Sequence, residues 1–370
     1  MVQRKKTDKK IWHVALRCML VLACLGRGMA AWAQDEAEAG KIEAGIELTS
    51  ELQATHTGRF NNANLLRLRA ALTLGKGLSL HVATLSAFMT SKESIGDDMQ
   101  AFSNLDAGNI PLALSKCGLE WQPAYGHSLF GGVLNMNEDY FASPVTSFFT
   151  NSSCGIYPTI SANYPIANYP LASVGMHYRY EHRYNEDRSA TKETLGSSKN
   201  DDDGKSLVVQ ASLFNGTGYN RFAGHDNVFR FCPKSDGIFV LAEAQYHSKG
   251  SSYFVGNAVH HNTNTCATPW LYAEQHVGSG LTLLAGYSHA FGSTPSCRDF
   301  AGLGLHYGRG SYELGIFSDY ASFAACNEFA TELTCKMQFF PLLSIQPVVH
   351  LITTQGTFRA IAALRLGLSL

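Results

Sequence analysis

Beyond the first thirty or so residues, nowhere do about 20 apolar residues run together without a charge, which excludes membrane-spanning helices. Charge itself is scarce. Asp, Glu, Lys and Arg make up 16% of the 370 residues, and no basic stripe marks a nucleic-acid partner. No Cys-x-x-Cys pair is present, so neither a zinc knuckle nor a thioredoxin-type redox centre is indicated. Gly-x-Ser-x-Gly and His-Glu-x-x-His are missing as well, which removes two common hydrolase signatures. His260, His261 and Cys266 come nearest to a metal cluster. A metal site needs more ligands at closer spacing, so they read as a polar loop, and no cofactor is implied.

What is present begins with a basic stretch, Arg4, Lys5, Lys6, Lys9 and Lys10, followed by a mostly apolar run from Ile11 to Leu25. His13 and Arg17 interrupt that run, and Ala31-Trp32-Ala33 follows it. The pattern predicts a secretory signal peptide over 1–33, cleaved after Ala33. Lipidation at Cys24 ranks below this, because Leu22 suits that motif poorly. These 33 residues hold seven Lys/Arg and one Asp, so the remaining chain carries −7 against −1 for the whole. Seven of nine cysteines remain after cleavage, an odd number entering an oxidising compartment.

The dominant period over 34–370 is two, the period of a strand. Leu66, Leu68, Ala70, Leu72 and Leu74 share one face, with Arg67, Arg69, Ala71 and Thr73 on the other. Leu364, Leu366, Leu368 and Leu370 alternate with Arg365, Gly367 and Ser369. A sandwich would bury the apolar face in a core. An outer-membrane barrel would turn it to lipid and its arginines to a wet lumen. Abundant Gly (34), Tyr (16) and Phe (21) at near-neutral mean hydropathy is what such barrel strands average to, and a soluble secreted all-β domain would share the alternation. Sixteen such segments predict an all-β fold, a transmembrane antiparallel β-barrel closed between first and last strands. With the N-terminus periplasmic, Gly75-Lys76-Gly77, Gly126-His127, Lys249-Gly250, Gly278-Ser279-Gly280 and Gly308-Arg309-Gly310 make short turns on one side. The long polar segment 185–204 falls on that side too. It is either an insertion or a slip in the count. On the other side, about 138–172 is too long for a hairpin and predicts an inward-folded constriction loop. Cys232, Cys266, Cys297 and Cys326 fall in loops of that side, as stapled pairs 232–266 and 297–326 or as free thiols.

One block is more specific than any alternation. Phe149-Thr150-Asn151-Ser152-Ser153-Cys154-Gly155 sits in the long loop, after Leu134-Asn135 and before Ser173-Val174-Gly175-Met176. Upstream runs Asp98-Met99-Gln100-Ala101-Phe102-Ser103-Asn104-Leu105-Asp106-Ala107, then Glu120-Trp121; near the end come Ile345-Gln346-Pro347 and His350. In this order the motifs resemble those of the OprB-type carbohydrate-selective porins, over most of 98–354. The chain departs from that pattern in lacking a terminal Phe, in Cys154 and in 185–204. The resemblance implies an outer-membrane channel of a Gram-negative-type bacterium, surrounded by outer-membrane lipids, passing mono- or oligosaccharides. Sixteen-stranded porins are often trimers, so a homo-trimer is among the assemblies implied.

A sugar channel needs aromatic faces for the C–H side of a pyranose and fixed polar groups for its hydroxyls. The candidate pathway residues are therefore the loop aromatics Tyr140, Phe141, Phe148 and Phe149, with Asn137, Glu138, Asp139 and Asn151 beside them. Arg67, Arg69, Glu120, Arg179 and Glu181 point into the lumen by parity. Arg67, Arg69 and Arg179 would face Glu138 and Asp139. Against this stands the plainer reading, aromatics that pack the loop to the wall and charges that are merely solvated. Tyr178 and Tyr180 suit an aromatic girdle at the membrane edge. The alternatives are a general diffusion porin, a barrel hydrolase with a non-local Ser/His/Asn triad, and an adhesive barrel with a plugged lumen.

Overall fold

The computed structural model describes residues 39–91, 93–184, 204–263 and 265–370. The expected signal peptide 1–33 lies outside these residues, as does all but the last residue of 185–204.

Sixteen strands close a single antiparallel barrel. The first eight are β1 (Ile42–Thr55), β2 (Phe60–Gly75), β3 (Leu78–Met89), β4 (Ile110–Trp121), β5 (His127–Leu134), β6 (Ser173–Arg183), β7 (Ser206–Asn215) and β8 (Ile238–Ser248). The others are β9 (Ser251–His260), β10 (Thr265–Gly278), β11 (Leu281–His289), β12 (Cys297–Arg309), β13 (Tyr312–Phe323), β14 (Asn327–Phe340), β15 (Leu343–Thr354) and β16 (Thr357–Ser369). Phe291–Gly292 is a two-residue continuation beyond β11 that pairs with β10. Each strand bonds to its sequence neighbours, and β16 returns to β1 with Arg365 opposite Glu51. Arg183 of β6 pairs with Ser206 of β7, so the strand count does not slip at the polar segment between them.

Alternation has its physical meaning here. Leu48, Leu68, Leu271, Leu303, Leu333 and Leu364 are exposed on the outer face. So are two bands of aromatic rings. Trp121, Tyr178, Tyr246, Tyr253 and Tyr312 lie toward the short turns, and Phe60, Phe88, Tyr320, Phe329 and Phe358 toward the long loops. An apolar belt between two aromatic bands is the surface a bilayer requires. Lys76-Gly77, Lys249-Gly250 and Ser279-Gly280 have positive φ at both positions, the mirror-image turn that matches strand twist. All seven described cysteines are free thiols, which settles the four loop cysteines against the two bridges.

The interior is not an empty tube. Residues 135–172 turn inward after β5 and lie along the inner wall. Their aromatics join inward side chains of β7 to β13 in one apolar cluster that includes Tyr140, Phe148, Phe149, Tyr157, Trp270 and Phe300. The wall makes room for them. At Gly315 of β13, a side chain would stand 2.8 Å from the Phe149 ring. Residues 93–109 fold inward above this segment, with Ile95 and Phe102 packed against the wall.

Candidate functional site

Irregular chain inside a barrel carries backbone N–H groups that have lost their ladder, and each must find an acceptor. The inner wall supplies carboxylates. Glu332 of β14 accepts from Thr150 N at 2.9 Å, from Asn151 N at 2.7 Å and from Thr150 Oγ1 at 3.1 Å. Four residues earlier on the same face, Glu328 accepts from Met99 N at 2.9 Å and Gln100 N at 3.0 Å. Asp319 of β13 accepts from Asn151 Nδ2 at 2.7 Å. Glu274 of β10 accepts from Ser143 Oγ. Tyr140 OH reaches Ser212 on β7 at 2.9 Å, and Gln346 on β15 donates to the Phe148 carbonyl at 2.7 Å.

The two sequence motifs meet at this seam. Asn104 N donates to Thr150 O at 2.8 Å, Ser152 N to Ala101 O at 3.2 Å, and Ser153 Oγ to Gln100 Oε1 at 3.0 Å. The Asn-Ser-Ser block thus fastens one inward loop to the other and both to the wall.

These contacts hold the long loop mainly along β7 to β15. Against β1 to β4 the interior keeps a cavity of about 740 Å³. Arg67, Arg69 and Glu47 line it from the wall, and Asn137, Glu138 and Tyr169 from the loop. Arg69 bonds Glu47, and Arg67 stands 4.0 Å from the same carboxylate. Asn137 Oδ1 accepts from Tyr169 N at 2.8 Å, which fixes that amide beside the ring. Burial pushes the Glu138 carboxyl up, and neighbouring Asp139 adds to this, against the opposing pull of Lys116, Arg67 and Arg69.

The candidates divide into three groups. Arg67, Arg69, Asn137 and Glu138 come together at the cavity. Tyr140, Phe148, Phe149 and Asn151 are buried between loop and wall and do not line it. Phe141 packs 4.7 Å from the Trp270 ring. The rings of these aromatics fill the space under the loop. Glu120, Arg179 and Glu181 form separate pairs on the wall. Glu120 meets His81 at 3.0 Å, and Arg179 meets Glu181 at 2.7 Å. Arg179 is thus paired two residues along its own strand, and it is Lys116 that reaches Glu138, at 3.9 Å. Asp139 points elsewhere, its Oδ1 lying 3.8 Å from His177 Nε2. Sequence reasoning passed over Lys116, Tyr169 and the wall acids Glu274, Asp319, Glu328 and Glu332. Strand parity would have placed Glu328 and Glu332 inward.

One acid in loop 93–109 is sensitive to pH. Asp98 is pushed up to about 7, first by burial and then by Glu328 beside it. The inward loop therefore favours the neutral acid. That preference is fully present below the ordinary value of 3.8 and is lost as pH rises to about 7. Wild-type single-channel current should flicker more often at pH 8 than at pH 5, by roughly tenfold. Asp98→Asn should abolish the difference, and an unchanged pH dependence in that variant would refute the assignment.

Neither family models nor curated protein sequences match the chain. Solved structures do. OprB of Pseudomonas putida in its high-pH structure superposes with a TM-score of 0.70 at 14% identity, covering 90% of this chain and 94% of that one. The low-pH structure of the same protein gives 0.56 at 13% identity, with 90% and 93% covered. A mutant porin of Rh. blastica gives 0.57 at 9% identity, with 89% and 100% covered. At such identities the likeness is one of fold, and the chain has the closed porin-type barrel that OprB and the Rh. blastica porin share.

Proposed function

We propose that this chain is an outer-membrane porin for passive, selective diffusion of carbohydrates. The observation that carries the reading is the one-sided lumen. Guanidinium groups of Arg67 and Arg69 on the wall face the amide of Asn137, the carboxyl of Glu138 and the ring of Tyr169 on the loop. Such a set suits a polyhydroxylated solute. Cations and acids bond hydroxyls in fixed geometry, and an aromatic face packs against C–H groups. Most of these charges already have partners, so a solute is held weakly and can leave. The outer belt and aromatic bands seat the barrel in lipid. The resemblance around the Asn-Ser-Ser block and the OprB fold support sugars over other small solutes. No step of bond making is required, and no cofactor enters this reading.

Liposome swelling tests it. Vesicles carrying the purified barrel should swell faster in monosaccharides than in amino acids of matched size, and Tyr169→Ala should reduce that ratio several-fold. Equal rates for both solute classes would make the chain a general diffusion porin. Ester or lipid hydrolysis lost on a single Ser or His substitution would support the hydrolase alternative.

A further inference from the structure

Strict alternation along β4 would put Leu112, Leu114, Lys116, Gly118 and Glu120 on one face of the wall. The structure breaks that run. Ala83 of β3 pairs with Lys116 while the next residue, Thr84, pairs with Leu114, so Ser115 is an extra residue in a bulge. The bulge sends Leu114 to the outer side, where it packs with Val133 and Val228. It leaves Ser115 and Lys116 together on the cavity. A bulge is a local device for re-aiming side chains, and here it turns Leu114 away and sets Ser115 on the cavity beside the cation.

Lysine side chains in a wet lumen are ordinarily loose, and this one is not. Its ammonium lies 4.8 Å from the centroid of the Phe130 ring and 3.9 Å from Glu138 Oε2, with the side chain only 20% exposed. Phe130 is itself buried in the β5 wall. The cation is therefore clamped between an aromatic face and the acid on the rim of the loop. Across the cavity, Glu47 is answered by Arg69 and Arg67. Glu138 is answered at short range by Lys116.

The geometry points to Lys116 as the residue that sets the ionic preference of the channel. It offsets Glu138 at the loop rim, so that neutral solutes and anions are not excluded there. Removing it leaves a carboxylate unbalanced where the lumen is bounded by low-dielectric walls, and such a wall concentrates counter-ions of opposite sign. This inference rests on the chain being a diffusion channel.

The test is the reversal potential of the full-length barrel in planar bilayers under a KCl gradient. Lys116→Gln should raise the permeability of potassium relative to chloride several-fold, and Lys116→Glu should raise it further. Lys116→Arg should stay near wild type, and Lys116→Gln combined with Glu138→Gln should return toward it. A wild-type ratio in both Lys116→Gln and Lys116→Glu, in barrels that conduct, would overturn the role of Lys116 and leave the porin reading standing. A wild-type protein that folds as a barrel and passes no current would overturn both.

Discussion

Replacing Glu332 with alanine is expected to release the inward loop and raise single-channel conductance several-fold. Thr150 and Asn151 are buried, and Glu332 is the acceptor for both of their backbone N–H groups. Each buried donor left unpaired costs about 1–3 kcal/mol, so two donors and a hydroxyl outweigh the stability of a typical loop contact. The barrel ladder itself is untouched, because Glu332 pairs through its backbone with His350 on the neighbouring strand. The variant should therefore fold, keep its β-sheet circular dichroism and lose its narrow pore. Glu332→Gln keeps an acceptor oxygen and should fall between. Wild-type conductance in a folded Glu332→Ala barrel would show that this carboxylate does not hold the loop.

The second large effect is expected at the seam. Arg365 of β16 bonds Glu51 of β1 at 2.6 Å, and the Glu51 side chain is fully buried. Removing the cation strands a buried carboxylate, a change that costs about 3–5 kcal/mol. Arg365→Met should lower the temperature at which the barrel opens by several degrees. Combining it with Glu51→Gln should recover most of the loss, because the neutral amide tolerates burial. If the double variant is no more stable than Arg365→Met, the pair is not what closes the seam.

How much of this was written in the chain differs by level. The strands were legible because their rule is local. β2 and β16 keep period two over their whole length, and a residue's face follows from counting. β4 shows where counting fails. A single extra residue at Ser115 reverses the parity of Leu114, and nothing in Leu-Ser-Lys announces it. The site was legible in part. Arg67, Arg69, Asn137 and Glu138 meet because parity fixed the first pair and loop position the second. Arg179 went astray because Glu181, on the same face of its own strand, is a nearer partner than anything across the lumen. The loop aromatics left both readings open for a different reason. A ring in a loop reads the same whether it faces solute or wall, and only the glycine beneath Phe148 and Phe149, 166 residues further along from the latter, decides between them. The acids that hold the loop bond chain 182 residues away, and no spacing rule reaches that far.

The grip of Glu328 and Glu332 falls on main-chain N–H groups, which every residue but proline possesses. The side chains at the lumen edge are therefore not what these two acids hold. A substitution at Asn137, Glu138 or Tyr169 alters what a passing solute meets and leaves those anchors in place. One scaffold can in this way diverge toward new solutes by a few changes on a short rim, while most of its letters drift and its shape persists.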